Sequence, residues 1–308
     1  RRHGGAFPAE RVGAFIDRMP GVLRRDAFEN ITDSAITAGH WGLLAVALLG
    51  FLIQLVATAV HGFSAFIIGV GWLVALPLLQ YVAVQFLDTT RSMVTGQRTP
   101  LGSQAFLRAY ALVALVAAIV SLAFALGRGI DAGSLQVFLY GLGMTALCIA
   151  TAWLALNPAL VGIQVSARTN AGEEAIGVLS FFVKTGVRLV PIFYGVAFVV
   201  GAIHALVILL GTIGDSSFEL RQAILRAELA APLMLWAALS PFLAYVAFVF
   251  YSLLIDLMRS ILAIPGNLGG GGASKKKAAA SRPARKKRAA TSTASKKKTS
   301  GSSGAGGG

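Results

Sequence analysis

A few polar side chains lie inside the long apolar stretches of this sequence, and they limit the chemistry open to the chain. His204 stands midway along one stretch, in the segment GAIHAL. A neutral imidazole at that depth would suit a haem or chlorophyll ligand or a proton relay. A bis-histidine haem needs a second histidine at mid-depth, whereas His40 and His61 fall at the two ends of another stretch. We therefore expect no cofactor, and His204 is the alternative candidate for a cofactor ligand.

Amides and acids are the other polar groups of these stretches. The amides are Gln54, Gln80, Gln85 and Asn157. Within a membrane such amides more often bond between helices than contact a substrate. Asp88 is followed by Arg91 after three residues, and Asp256 by Arg259. Because that spacing is about one helical turn, it predicts two local ion pairs, and proton or sodium coupling at the acids is the alternative.

Residue types that carry catalysis are scarce in this chain. The 4 histidines and 1 cysteine cannot assemble a convincing zinc or di-iron site. The sequence also lacks a phosphate-binding P-loop and a serine nucleophile elbow. We expect neither a metal nor catalytic residues, and we predict a non-enzymatic protein.

Three of the 4 tryptophans are followed, five positions later, by a proline. The pairs are Trp72–Pro77, Trp153–Pro158 and Trp236–Pro241. Because they recur at nearly equal spacing in stretches of one orientation, we predict three repeated helix hairpins whose even-numbered helices each carry one pair.

Each of these prolines removes a backbone hydrogen bond and should kink its helix. The carbonyl groups left without a partner belong to Leu73, Leu154 and Ala237. Asn157 and Ser240 could bond the nearby carbonyls. The tryptophans would then fill the wedges opened by the kinks. The alternative is a central cavity lined by the three kinked helices and edged by Gln80 and Asn157.

The elements that position these residues follow from composition. The 308 residues include 27 Lys and Arg and 13 Asp and Glu, giving a formal net charge of +14, yet 56% are hydrophobic and only 13% are charged. A soluble globular protein carries about 25% charged residues. The last 40 residues hold 11 bases and no acid. The remaining body is nearly neutral and apolar, which excludes a soluble enzyme, a basic nucleic-acid-binding globule and a disulfide scaffold.

Six stretches are long enough to cross the roughly 30 Å hydrocarbon core of a bilayer as helices. We predict spans at 40–60, 63–87, 105–126, 135–165, 187–213 and 229–257. The fold class is therefore all-α, a polytopic membrane protein with six transmembrane helices. Amphipathic helices are expected before the first span, around Val12 to Met19 and Val22 to Ile31, and before the fifth, over 172–188.

Basic residues in the short connections predict the orientation of the spans. The N-terminal segment and the even-numbered connections are rich in them, whereas the odd-numbered connections hold only Arg128, Arg221 and Arg226. We predict that both termini are cytoplasmic, with the bacterial inner membrane as the location. The domains are a cytoplasmic amphipathic segment (1–39), a six-helix transmembrane domain (40–268) and a disordered polybasic tail (269–308).

The tail has no large side chain to bury, and its composition is typical of disorder. Its basic residues are Lys275, Lys276, Lys277, Arg282, Arg285, Lys286, Lys287, Arg288, Lys296, Lys297 and Lys298. Anionic lipid headgroups are the expected partner, because each basic residue near a leaflet contributes roughly 1 kcal/mol. An acidic protein and nucleic acid are the alternatives.

Two functions remain for the whole chain. The first is a structural or accessory subunit of a larger membrane assembly, in contact with other membrane subunits. Glycines within the spans would allow such close helix contact. The second is a transporter or pore for a small or lipidic solute, lined by the three proline-containing helices.

Overall fold

A computed structural model of the chain describes residues 25–96, 98–131, 133–166, 170–211 and 217–269. Six helices account for most of them: α1 (Arg25–His61), α2 (Phe63–Gly96), α3 (Gln104–Asp131), α4 (Leu135–Leu156), α5 (Ala171–Gly211) and α6 (Ser217–Gly269). All six are long and apolar enough to cross a membrane. The prediction of an all-helical, multi-pass membrane protein is therefore confirmed. The predicted helix at Val12 to Met19 and the polybasic tail lie outside the described residues.

Three helices, α1, α5 and α6, begin earlier than the predicted spans. The amphipathic segment expected before the first span is, from Arg25 onward, part of α1, and residues 172–188 are part of α5. In both segments the side chains meet other helices, since Phe28 and Phe181 are fully buried. A helix that buries its apolar stripe against protein has no need of a membrane interface for that stripe.

The fourth helix is shorter than predicted and ends at Leu156 instead of Val165. Pro158 cannot continue the hydrogen-bond ladder, so the chain turns there through a short 3-10 helix, Pro158–Val161. Strand β2 (Ile163–Val165) follows and pairs in parallel with β1 (Thr99–Leu101). This two-stranded pair, which the sequence analysis missed, joins the connection after α2 to the connection after α4.

Hydrogen bonds to Glu174 connect the start of α3 to α5. Its carboxylate accepts hydrogen bonds from the amides of Gly102 (2.6 Å) and Ser103 (2.9 Å), just before α3 begins. Amides at a helix start have no partner within the helix and favour a negative charge nearby. One acid of α5 thus completes the hydrogen bonding of another helix.

Helix α5 packs most extensively on α1, and α3 packs on α4. Glycine makes the α1–α5 contact close, because a side chain added at Gly195 would meet the backbone oxygen of Ala35. The same holds between α3 and α4, where Gly141 lies against Ala125. In a bilayer, where lipid is as apolar as leucine, close packing of this kind replaces the hydrophobic effect in holding helices together.

Two clusters of buried residues form the core of the unit that ends at Arg259. The larger cluster gathers residues such as Phe28, Leu101 and Phe181 near the paired strands. The second joins α1, α2, α5 and α6 around Leu43 and Phe198. Side chains of four helices therefore meet in one place, and the cavity described next lies beside it.

Candidate functional site

A cavity of about 230 Å³ lies between α1, α2, α5 and α6. In the part of the chain that the structure describes, thirteen residues line it: Val46, Gly50, Ile53, Gln54, Ile68, Trp72, Gly201, His204, Ala205, Ile208, Ala230, Ala231 and Met234. Most of these side chains are apolar, and all belong to helices able to cross a membrane. Ile68 is 49% exposed. The cavity therefore reaches from the interior of the bundle to its outer surface.

Gln54 and His204 are the two described lining residues whose side chains can both donate and accept hydrogen bonds. Gln54 comes from α1 and His204 from α5, and both are buried. An amide and an imidazole can each donate and accept hydrogen bonds. Apolar walls with a few polar groups are typical of sites that bind small molecules. The arrangement suits a molecule with an apolar body and one polar, uncharged end.

Small residues keep the cavity open on the α1 side. A side chain added at Gly50 would meet nothing within 4 Å. On the α5 side, a side chain added at Gly201 would meet the Met234 sulfur at 2.5 Å. Space is therefore available beside Gly50, whereas α5 and α6 are already in contact at Gly201.

The three predicted Trp–Pro pairs do not share this cavity. Trp72 is half-buried and lines it, while its partner Pro77 and the nearby Gln80 are half-buried further along α2. Trp153 packs instead on Phe28, with ring centroids 5.6 Å apart. Trp236 is 61% exposed, so it faces outward from the bundle. The structure thus brings one of the three tryptophans to a cavity that His204 and Gln54 also line.

The three prolines also differ in their surroundings. Pro77 and Pro241 lie inside α2 and α6, whereas Pro158 follows the end of α4. The Ser240 hydroxyl donates to the carbonyl of Ala237 at 2.7 Å, as the sequence predicted. Asn157 instead donates its side-chain amide to the carbonyl of Trp153 at 3.2 Å, because α4 ends there. The threefold repeat and the helix kinks stay predictions.

A network of charged side chains links α1, α2 and α5 at the end of the bundle that holds the paired strands. Glu29 of α1 bonds both Arg91 of α2 and Arg188 of α5, and Asp33 also bonds Arg91. Arg188 is the deepest of these groups, with its side chain 1% exposed. Its guanidinium also lies 5.8 Å from the centroid of the Phe28 ring. Glu29 thus balances a buried positive charge and ties three helices together.

This network adds contacts that the local pairing predicted for Arg91 did not include. The ion pairs of Arg91 to Glu29 and Asp33 cross between helices. The local pairs Asp88–Arg91 and Asp256–Arg259 stay predictions. Sequence reasoning missed the pairs between helices because Glu29 was assigned to an interfacial segment outside the bundle. The signal that could have found them is the pair of acids four residues apart in α1, which places Glu29 and Asp33 on one helix face.

A further polar contact joins α1 to α5. The Tyr194 hydroxyl lies 3.2 Å from His40 Nδ1, and the two ring centroids are 5.4 Å apart. Tyr194 is fully buried, so this hydrogen bond satisfies its hydroxyl inside the bundle. His40 therefore has a structural contact.

Within the described ranges, no three His, Cys, Asp or Glu side chains come together in an arrangement that could hold a metal ion. No protein-family model matches the chain, no curated protein is similar to it, and no solved structure matches it.

Proposed function

We propose that the chain is a non-enzymatic membrane protein that binds a lipidic or small amphipathic solute in the cavity between α1, α2, α5 and α6, as a step in moving that solute. The cavity itself carries the proposal. It lies among helices long enough to span a bilayer, and two buried hydrogen-bonding side chains interrupt its apolar lining.

The chemistry of the lining favours a solute of one kind. Trp72, Met234 and the aliphatic residues would contact a hydrocarbon body. Gln54 and His204 would bond a hydroxyl, carbonyl or amide at one end. None of the lining residues that the structure describes is Asp, Glu, Lys or Arg, so a fully charged group would enter this part of the site at a large desolvation cost. We therefore expect neutral alcohols, esters or amides with an alkyl chain.

Gly50→Leu is the sharpest test of this proposal, because it fills the cavity where a side chain meets no neighbour. Gly71→Leu is the matched control, since Gly71 also has nothing within 4 Å but lies outside the lining. Both full-length proteins would be extracted gently and their retained small molecules counted by native mass spectrometry. We expect wild type and Gly71→Leu to retain a neutral amphiphile and Gly50→Leu to lose it. Equal retention by all three proteins would refute the cavity as a binding site.

An accessory role in a larger membrane assembly is the second candidate, and the outer surface of α2 favours it. Only 17% of the apolar window of α2 is buried inside the protein. Large side chains such as Tyr81 and Leu78 point outward from this helix, at 68% and 64% exposure. A second membrane subunit could cover this face. A chain that leaves the membrane alone under gentle extraction, as seen by native mass spectrometry, would remove this candidate.

The location and orientation of the chain belong to the same proposal. Arg25, Arg91, Arg98 and Arg188 lie at the end of the bundle that holds the paired strands, and Arg128 lies at the far end of α3. This distribution supports cytoplasmic termini. The location we propose is a bacterial inner membrane. A cysteine introduced at Gly133, between α3 and α4, should then react with a membrane-impermeant thiol reagent added outside the cell. Labelling only after the cell is broken would show that the chain has the opposite orientation.

We also propose that the basic tail holds the cytoplasmic face to anionic lipid, with an acidic protein or nucleic acid as the alternative partners. Its 11 basic residues and absence of acids support an electrostatic contact. Binding of the full chain to added vesicles should rise with anionic lipid content and fall with salt. Binding that ignores both would refute the electrostatic account.

A further inference from the structure

A second, polar cavity of about 260 Å³ lies near the paired strands, at the base of α6. Its lining consists of Arg98, Thr99, Tyr251, Ser252, Ile255, Asp256 and Arg259. Directly behind Thr99 stands Lys184 of α5, whose Nζ donates to the Thr99 hydroxyl at 3.0 Å. The described lining of this cavity therefore comes from β1, the residue before it and α6, with α5 behind Thr99, and it shares no residue with the apolar cavity described above.

Positive charge predominates around this cavity. Arg98, Lys184 and Arg259 bring three basic side chains, and Asp256 is the one acid among the lining residues that the structure describes. Arg259 also lies close enough to Lys184 for the two charges to repel each other. Gathering like charges costs free energy, and the cost is greater at a buried group. An anion in the cavity would offset it.

The cavity is rigid on its inner side. Lys184 is fully buried, and Thr99 and Tyr251 are 4% and 6% exposed. Tyr251 donates to the Ser180 hydroxyl, which in turn donates to the carbonyl of Ile176 at 2.6 Å. Because these groups are held in place before any ligand arrives, binding would cost little ordering of the protein. The arginines at the rim are exposed and free of that constraint.

We propose that this cavity is a binding site for a phosphate group. Two guanidinium groups can each bond two phosphate oxygens, and a lysine adds a point charge beside them. The hydroxyls of Thr99 and Ser252 stand among these groups as further hydrogen-bonding partners. The phosphate could belong to a lipid headgroup or to a soluble phosphate compound, because Arg98 follows the candidate span that ends at Val94 and Arg259 lies two residues before the end of the one that closes at Ile261.

The test compares two double variants of the full-length protein, both of which remove two exposed positive charges. Arg98→Gln with Arg259→Gln changes the cavity, and Arg108→Gln with Arg128→Gln changes residues outside its lining. Both variants keep the basic tail, so its contribution to binding is the same in each. Binding of inorganic phosphate would be measured by equilibrium dialysis in a neutral detergent at fixed ionic strength. Retention of phosphatidylglycerol from mixed nanodiscs would be counted by native mass spectrometry.

We expect phosphate affinity or phosphatidylglycerol retention to fall roughly tenfold or more in the cavity variant and to stay unchanged in the control. A change in phosphate binding assigns the site to a soluble phosphate compound, and a change in phosphatidylglycerol retention alone assigns it to a lipid headgroup. If both measurements agree between the two variants, the cavity is not a phosphate site. Thermal unfolding of both variants, expected to match, separates lost binding from lost folding.

Discussion

Helices α5 and α2 have similar hydropathy, but α5 is much more buried inside the protein than α2. Their most apolar windows have mean hydropathies of 2.4 and 2.0, yet 50% of the α5 window is buried inside the protein against 17% for α2. Hydropathy therefore identifies both as spans without telling which one faces protein. What distinguishes α5 is its buried Lys184 and Arg188 and the close approach of Gly195 to the backbone of α1 at Ala35, whereas Gly69 of α2 lies against side chains of α1.

The comparison has a physical reason. In lipid, an apolar side chain gains little by moving from the bilayer to a protein neighbour, so small residues and polar groups decide which face turns inward. Arg188 faces protein because its positive charge forms an ion pair with Glu29 there. The outward side chains of α2 can rest in hydrocarbon without a partner. The predictions below test whether these features hold α5 at the centre.

The largest expected effect is on Glu29, which bonds Arg188 of α5 as well as Arg91 of α2. Glu29→Gln leaves the buried Arg188 without a counter-charge and should lower the free energy of unfolding by about 3 kcal/mol. Asp33→Asn is the control, since Asp33 is 56% exposed and bonds Arg91. It should cost under about 1 kcal/mol. Chemical unfolding in detergent measures both, and equal losses would contradict a special role for Arg188.

A glycine exchange compares the two helices directly. A methyl group at Gly195 of α5 would meet the backbone of Ala35, whereas one at Gly71 of α2 would meet nothing within 4 Å. Gly195→Ala should therefore destabilise the protein by about 1–3 kcal/mol, because α1 and α5 must separate. Gly71→Ala should be neutral or stabilise by up to about 1 kcal/mol through helix propensity. Melting temperatures of the two variants in one detergent check the contrast, and its absence would mean that the α1–α5 contact is loose.

The smallest expected loss of stability concerns α6, where Pro241 leaves the carbonyl of Ala237 without a backbone amide donor. Ser240→Ala removes the hydroxyl that bonds the Ala237 carbonyl and should cost about 1 kcal/mol. Ser252→Ala removes a similar bond to the Phe248 carbonyl, within a helical stretch that has no proline beside it. Its cost should be smaller. Unfolding measurements that rank Ser252→Ala as the more damaging change would show that the Ala237 carbonyl has no need of Ser240.

Much of the fold could be predicted from the sequence, because the length of an apolar run depends on local composition. The six spans follow from hydropathy, and the bond from Ser240 to Ala237 follows from one proline. The residues at which individual helices begin and end were harder to predict than the spans themselves. Pro158 is a sufficient reason for α4 to end at Leu156. Because the apolar residues continue past Pro158, hydropathy alone predicted a longer helix.

The candidate site was less predictable, because it depends on which helices become neighbours. His204 was singled out for its depth and Gln54 for its amide, but their meeting in one cavity required the packing of α1 on α5. The similar sequences around the three tryptophans suggested similar surroundings. Instead, Trp72 lines a cavity, Trp153 packs on Phe28 and Trp236 faces outward. A short motif fixes local geometry and leaves the neighbours of each helix open.

The central claim is that an amphiphile enters the cavity beside Trp72, and fluorescence of that residue tests it most directly. A variant with Trp72 as its sole tryptophan would be placed in nanodiscs and titrated with small amounts of a brominated long-chain alcohol. We predict saturable quenching of Trp72, and its loss when Gly50→Leu is added. Quenching that grows without saturation and is the same with Gly50→Leu would mean that Trp72 meets only bulk lipid, and that the cavity holds no solute.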